Sequence, residues 1–420
     1  MPALIVTTAI LLLATGLIIL QPRGLNEAWP AAGGAVALLL LGFATPLDLW
    51  HVAREVADVL LFLIGMMALT AAVERSGLFD LLAIRTARAA RGSGIALFVG
   101  IFLLGFAITA LLSLDVTVIV LTPIVYALVW RLRMPPLPFL FVCTFVANNG
   151  SLLFPISNLT NLLAYGLLGL GFVEFAARMF LPQLAALAVN IGLFLLLFRR
   201  DLPRRFDPAD LPRRPVGLDP DYLNAAMLGL GLVLAALFAC GLLGWPIAPP
   251  ALLGGAALAA IAVRRRKTTP RELAREVSWS LVPFVIGMFL IIRSAQHYWL
   301  DAIGDQLVLA RFDLSALLLM AFGNAIGANL VNNIPMIGAT IGLLGTADPA
   351  AREPLALAAV LGTNLGPTVT PFGSLATMLW LTIVRRKGQP LSTLTYMKVG
   401  AVTAPTTLLA ATLALWLVLR

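Results

Sequence analysis

Long apolar runs, separated by short polar interruptions, set the pattern of this chain. They place membrane spans near residues 4–20, 31–45 and 57–74, then 137–165 and 174–198, and in the second half 222–243, 249–263, about 281–295, 353–384 and 398–419. Most approach or exceed the roughly 20 residues with which a helix crosses about 30 Å of hydrocarbon. Two further stretches, 94–130 and 313–345, each hold two apolar helices meeting at a polar tip: Ser113 to Thr117 in the first, Asn329 to Pro335 in the second. Two full spans or a re-entrant hairpin fit such a stretch, and the polar tip favours the hairpin. Ser76 to Arg91, with Arg85, Arg88 and Arg91 at helical spacing, reads as an interfacial helix, and Asp301 to Asp313 mirrors it.

Two interruptions fall inside apolar spans. In Phe154-Pro155-Ile156-Ser157-Asn158-Leu159-Thr160-Asn161 a proline precedes a cluster of hydroxyls and amides, and Thr370-Pro371-Phe372-Gly373-Ser374-Leu375-Ala376-Thr377 repeats the design. Irregular backbone at membrane depth is tolerated only where it is buried in protein or lines a cavity. Pro155 and Pro371 stand 216 residues apart, which defines an internal repeat. The fold expected is an all-α polytopic membrane protein of two inverted-topology repeats. It has about ten transmembrane helices, two re-entrant helical hairpins and two broken helices, the architecture of secondary transporters. The first half covers 1–198, a cytoplasmic linker 199–221, and the second half 222–420.

Composition agrees with that reading. Of the 420 residues 60% are hydrophobic and 12% charged, and the mean hydropathy is +0.97, far from soluble domains. The net charge of +9 does not point to nucleic acid, because the basic residues sit in short loops, where the positive-inside rule places them in the cytoplasm. Cys143 and Cys240 lie in separate apolar segments and form neither a disulfide framework nor a metal-ligand spacing. Residues 3–20 lack a basic leader and an Ala-x-Ala site, so they read as a retained helix.

Asp115 is the acidic residue that falls deep in the membrane, where a carboxylate is costly and marks function; the alternative is a helix cap at a wetted tip. Its repeat counterpart by spacing is Asn332, isosteric but unable to titrate, so one half handles a proton and the other only hydrogen bonds. Asn148, Asn149, Ser151, Ser157, Asn158, Thr160 and Asn161 in the first half are neutral donors and acceptors, matched by Asn333, Thr363, Asn364, Ser374 and Thr377 in the second. Any one of them reads equally as a helix-packing contact; two matching clusters favour a substrate site. Gly362 to Pro367 suits close backbone approach. His51 and His297 read as surface residues, Trp29, Trp50, Trp245 and Trp299 as an aromatic belt, and Arg293 as a snorkelling cation. No P-loop, zinc-helix motif or nucleophile elbow stands out, so no catalytic residue, cofactor or metal site is expected.

At these motifs the sequence resembles the arsenite/antimonite efflux permeases of the ArsB type, within the ion transporter superfamily. Asp115 with Leu121-Thr122-Pro123-Ile124-Val125 carries the resemblance, with Ser157-Asn158-Leu159-Thr160-Asn161 and Asn332-Asn333-Ile334-Pro335. Asn364-Leu365-Gly366-Pro367, Thr370-Pro371 and Gly373 through Trp380 complete it, in an order covering essentially the whole chain. Leu114 stands where the family usually has Asn. The resemblance implies export of arsenite and antimonite from the cytoplasm across the inner membrane in exchange for protons, in some members with a soluble arsenite-stimulated ATPase. Arsenous acid is a small neutral trihydroxide, and a pocket of amides and hydroxyls suits it without fixed charge. A sodium-coupled carboxylate carrier or sodium/proton antiporter of the same superfamily is the alternative, and a membrane-embedded enzyme would need chemistry that Asp115 alone does not supply.

Overall fold

The computed structural model describes residues 2–20, 22–168, 170–215, 217–300, 313–345, 348–389 and 391–420, and among them the chain is helical with no strand. The first half holds α1 (Pro2–Leu20), α2 (Ala28–Leu40), α3 (Pro46–Glu74), α4 (Leu78–Ala89), α5 (Gly94–Leu111), α6 (Leu114–Arg131), α7 (Pro136–Asn149), α8 (Leu159–Leu168) and α9 (Phe172–Phe198). The second holds α10 (Pro220–Leu243), α11 (Ala248–Arg264), α12 (Pro270–Glu276), α13 (Leu281–Ala295), α14 (Leu314–Val331), α15 (Asn333–Gly345), α16 (Pro349–Leu365), α17 (Leu375–Arg386) and α18 (Thr393–Leu419). Eight stretches of the described residues are long and apolar enough to cross a membrane.

Several boundaries depart from the sequence reading for identifiable reasons. Helix α3 starts at Pro46, not near 57, because Thr45 and Asp48 form a capping box around a proline at the first helical position. The same device, Thr269 with Glu272 around Pro270, starts α12, a short helix that hydropathy does not reveal. Both broken helices come apart earlier than their proline motifs: α7 ends at Asn149 and α16 at Leu365. The interfacial helix expected at 301–313 lies outside the described residues, apart from Asp313, which caps α14.

Helices correspond between halves, and contacts between halves occur in exchanged pairs. Helix α2 packs on α13 while α11 packs on α3; α8 lies against α15 and α16 while α17 lies against α6 and α7. Small residues permit the tightest crossings, as in membrane helix pairs generally. A Cβ on Gly65 of α3 would stand 2.5 Å from the Ala251 carbonyl carbon, and one on Gly287 of α13 would stand 2.7 Å from that of Ala31. Ion pairs repeat the exchange: Arg75 meets Glu276 at 2.9 Å, and Arg293 meets Glu55 at 3.3 Å.

Basic segments gather at one end of the molecule. Arg88 donates to Pro212 O and Arg131 to Asp210 O, Gly94 N–H bonds Arg204 O, and Tyr126 OH reaches Lys387 O. Lys267 Nζ lies 3.0 Å from Asp219, the residue that caps α10. Helix α9 runs toward this end and α18 away from it; α3 runs toward it and α13 away. These helix pairs therefore run in opposite directions in the two halves.

Candidate functional site

The first break runs from Gly150 to Asn158. Its backbone groups, which no helix ladder serves, are taken up by side-chain amides. Gln183 of α9 donates to Asn149 O and accepts from Leu152 N–H, both at 2.9 Å. Asn161 donates to Ser151 O at 2.6 Å and Phe154 O at 3.0 Å, and Ser157 Oγ donates to Ala110 O at 2.9 Å. The second break, Gly366 to Ser374, is held from a different helix. Asn329 of α14 donates to Gly366 O at 2.7 Å and accepts from the N–H and hydroxyl of Thr370 at 2.9 and 2.8 Å.

Asn364, at the end of α16, joins the two breaks. Its Oδ1 accepts from Asn158 Nδ2 and the Thr160 hydroxyl, and its Nδ2 donates to Asn161 Oδ1 at 2.7 Å. Near them the two hairpins turn. Ser113 caps α6 by accepting from Val116 N–H. Pro123 then removes the N–H that would bond Ile119 O, and the turn Thr117–Leu121, two residues after Asp115, is wound as a π-turn, a distortion common at functional sites. In the other hairpin the turn is Asn332, which adopts a left-handed φ of 76° and donates through Nδ2 to Phe372 O. Asn333 N–H follows it onto Gly373 O at 3.0 Å.

A cavity of about 390 Å³ opens between these elements, with Asp115, Asn158, Asn333 and Ser374 in its walls. Both repeats thus contribute to one site. It extends past Thr70 of α3 to Glu74 and Glu276, beside the Arg75–Glu276 ion pair at the basic end of the molecule. Thr70 Oγ1 and Asn333 Oδ1, both on buried residues, have no hydrogen-bond partner among the described residues. A buried polar atom left unpaired is costly, so the wall carries free hydrogen-bonding capacity.

Other residues expected at the site stand behind its wall. Thr160, Asn161 and Asn364 are fully buried and spend their polar groups on one another and on the break backbone. Ser157 faces Ala110 O, Thr363 bonds back to Ala359 O in its own helix, and Thr377 accepts from Asn148 Nδ2 at 3.3 Å. Asn149 is buried, and neither atom of its amide has a partner among the described residues. Asn332, matched to Asp115 by spacing, forms the hairpin turn itself, and it is Asn333 that lines the cavity with Asp115. Cys143 turns its thiol to Phe139 O, away from the cavity.

Sequence reasoning missed the mouth. Glu27, Glu74 and Glu276 line it together with Thr70, Met66 and Met67 of α3. Glu74 was visible as the acidic end of an apolar run, but nothing in the pattern says that this end meets the hairpins. Among the described residues no group of three His, Cys, Asp or Glu side chains could hold a metal ion.

The family model described as "Arsenical pump membrane protein" matches residues 6–419. An arsenical pump membrane protein of Escherichia coli strain K12 is 32% identical over 403 residues, covering 94% of each chain. A putative arsenical pump membrane protein of Bacillus subtilis is 27% identical over 420 residues, covering 93% of this chain and 94% of its own. Among solved structures, the Alcanivorax borkumensis YdaH transporter shares the fold with a TM-score of 0.56 at 17% identity, over 88% of this chain and 86% of that one.

Proposed function

The chain belongs to the arsenical pump membrane protein family, and from that premise we propose that it exports arsenite and antimonite from the cytoplasm in exchange for protons. Membership makes it a multi-pass inner-membrane transporter of arsenicals. The observation that carries the finer reading is the composition of the cavity that both halves line. Its inner wall offers amides and a hydroxyl, Asn158, Asn333 and Ser374, with a single carboxylate, Asp115. These groups match a neutral trihydroxide, which needs hydrogen-bond partners and no countercharge.

Sidedness follows from charge. The end to which the cavity opens is the end where Arg88, Arg131, Lys267 and Lys387 gather, which the positive-inside rule assigns to the cytoplasm. The cavity is then open to the compartment from which the substrate is removed. Asp115 at its inner end carries the proton, and Asn158, Asn333 and Ser374 hold the substrate. Asn149, Ser157, Thr160, Asn161, Asn332, Thr363, Asn364 and Thr377 support them by fixing the breaks and the hairpin turn. A soluble ATPase would meet the chain at the basic end; transport driven by protons requires none.

The test is arsenite uptake into everted vesicles under an imposed proton gradient, with a sodium gradient as the control. Uptake driven by sodium and indifferent to protons would replace this reading with sodium coupling.

A further inference from the structure

The ionisable groups lining the cavity are all carboxylates: Asp115 within, and Glu27, Glu74 and Glu276 at the mouth; no Lys, Arg or His is among the described lining residues. That runs against the composition of the chain, which has 29 basic residues against 20 acidic, and against the basic end on which the mouth opens. Arg75 is engaged by Glu276 at 2.9 Å, and neither Glu27 nor Glu74 forms an ion pair among the described residues. A second observation comes from the wall. Thr70 and Asn333 are 5% and 3% exposed, and their side-chain oxygens lack partners among the described residues. Asn333 Oδ1 and the ionised Asp115 carboxylate can only accept, so a ligand that satisfies them must bring hydrogen-bond donors, which the hydroxyls of a neutral trihydroxide supply.

We infer that Glu27, Glu74 and Glu276 form an electrostatic filter that admits neutral, hydroxyl-bearing solutes and holds back oxyanions of similar size, with inorganic phosphate the abundant example. A cleft lined by one sign of charge between low-dielectric walls focuses its field on any ion that enters. A neutral trihydroxide has no net charge for that field to act on. The basic surface around the mouth attracts phosphate, and the carboxylates reverse the sign of the potential at the point of admission. The inference rests on the reading that the cavity takes a neutral trihydroxide from the cytoplasm.

Arsenite uptake into everted vesicles, with phosphate added on the cytoplasmic face, tests it. Wild-type uptake is expected to be indifferent to phosphate. In Glu74→Gln and Glu276→Gln phosphate is expected to inhibit, each charge removed improving its apparent affinity about tenfold, the scale for unit charges about 8 Å apart at an effective dielectric of about 30. Glu276→Gln is expected to show the larger effect, because it also frees Arg75. Uptake without phosphate reports separately whether the substrate reading holds. Phosphate indifference in variants that still transport arsenite would overturn the filter. If neither variant reaches the membrane, Glu27→Gln and the wild type at high salt, where the Debye length falls to about 3 Å, decide instead: inhibition in both supports the filter, and indifference in either overturns it.

Discussion

Asn158 Nδ2 donates to Asn364 Oδ1 at 3.0 Å, so the first helix break is tied to the end of the helix that leads into the second, across 206 residues of sequence. Asn158 is also in the cavity wall, whereas Asn364 is not. The two positions should fail differently. Asn364→Ala leaves Asn158, Thr160 and Asn161 each short of a buried partner, and is expected to lower stability by about 1–3 kcal/mol or more. Thermal unfolding in detergent measures it, and an unchanged melting temperature would refute the bridging role.

Asn333→Ala removes a side-chain oxygen that has no partner among the described residues. Its stability cost should be small, while substrate binding weakens by about 1–2 kcal/mol, or roughly 5- to 30-fold. Apparent KM for arsenite, read beside the melting temperature, checks the split; a large loss of stability with unchanged KM would place the substrate elsewhere.

Asp115→Asn keeps the shape of the side chain and removes its proton. Downhill movement of arsenite should persist, and accumulation against a gradient in vesicles acidified inside should vanish. Continued accumulation would assign the proton to another group.

Cys143→Ser with Cys240→Ala should retain most export. The Cys143 thiol is turned to Phe139 O, a bond a serine hydroxyl can also make, and neither cysteine lines the cavity. Loss of transport in a well-expressed double variant would restore a role for thiol chemistry.

At the basic end, the hydrogen bond from Lys267 and then the backbone N–H of Tyr222 hold the Asp219 carboxyl below the usual aspartate range. A depressed carboxyl pKa stabilises the fold above the unfolded value and loses that contribution as pH falls through the folded one. Asp219→Asn keeps an N-cap and removes the charge. Its melting temperature should lie below that of the wild type at neutral pH and converge with it in acid; a gap that does not depend on pH would rule out the ion pair as its source.

The breaks were legible in the sequence because a proline next to amides in an apolar run has few other readings, and Pro155 and Pro371 fixed the repeat. The spans were legible for the same reason that hydropathy works at all. What escaped was lateral. Thr70, Met66 and Glu74 lie on a helix whose apolar pattern is continuous, and only packing decides which of its faces meets the hairpins. The spacing of 217 residues matched Asp115 to Asn332, but the second hairpin turns on a single residue with positive φ where the first uses Leu112 and Ser113. The cavity position therefore passes to Asn333. The start of α12 is written in Thr269-Pro270-Arg271-Glu272, a local capping signal that hydropathy does not carry.

The opposed courses of α9 and α18 bear on where such a chain comes from. If one ancestral segment gave rise to both halves, it must have been able to enter the bilayer in either direction, with no loop so basic that it forbade one of them. On that premise, fusion would have ended that freedom. By the positive-inside rule, the arginines of the linker, whose backbone meets Ser93 and Gly94 of the first half, and Arg264 to Lys267 of the second would then commit each copy to one orientation. Mutations that redistribute lysine and arginine between the two ends would thus act during membrane insertion, before any part of the site exists.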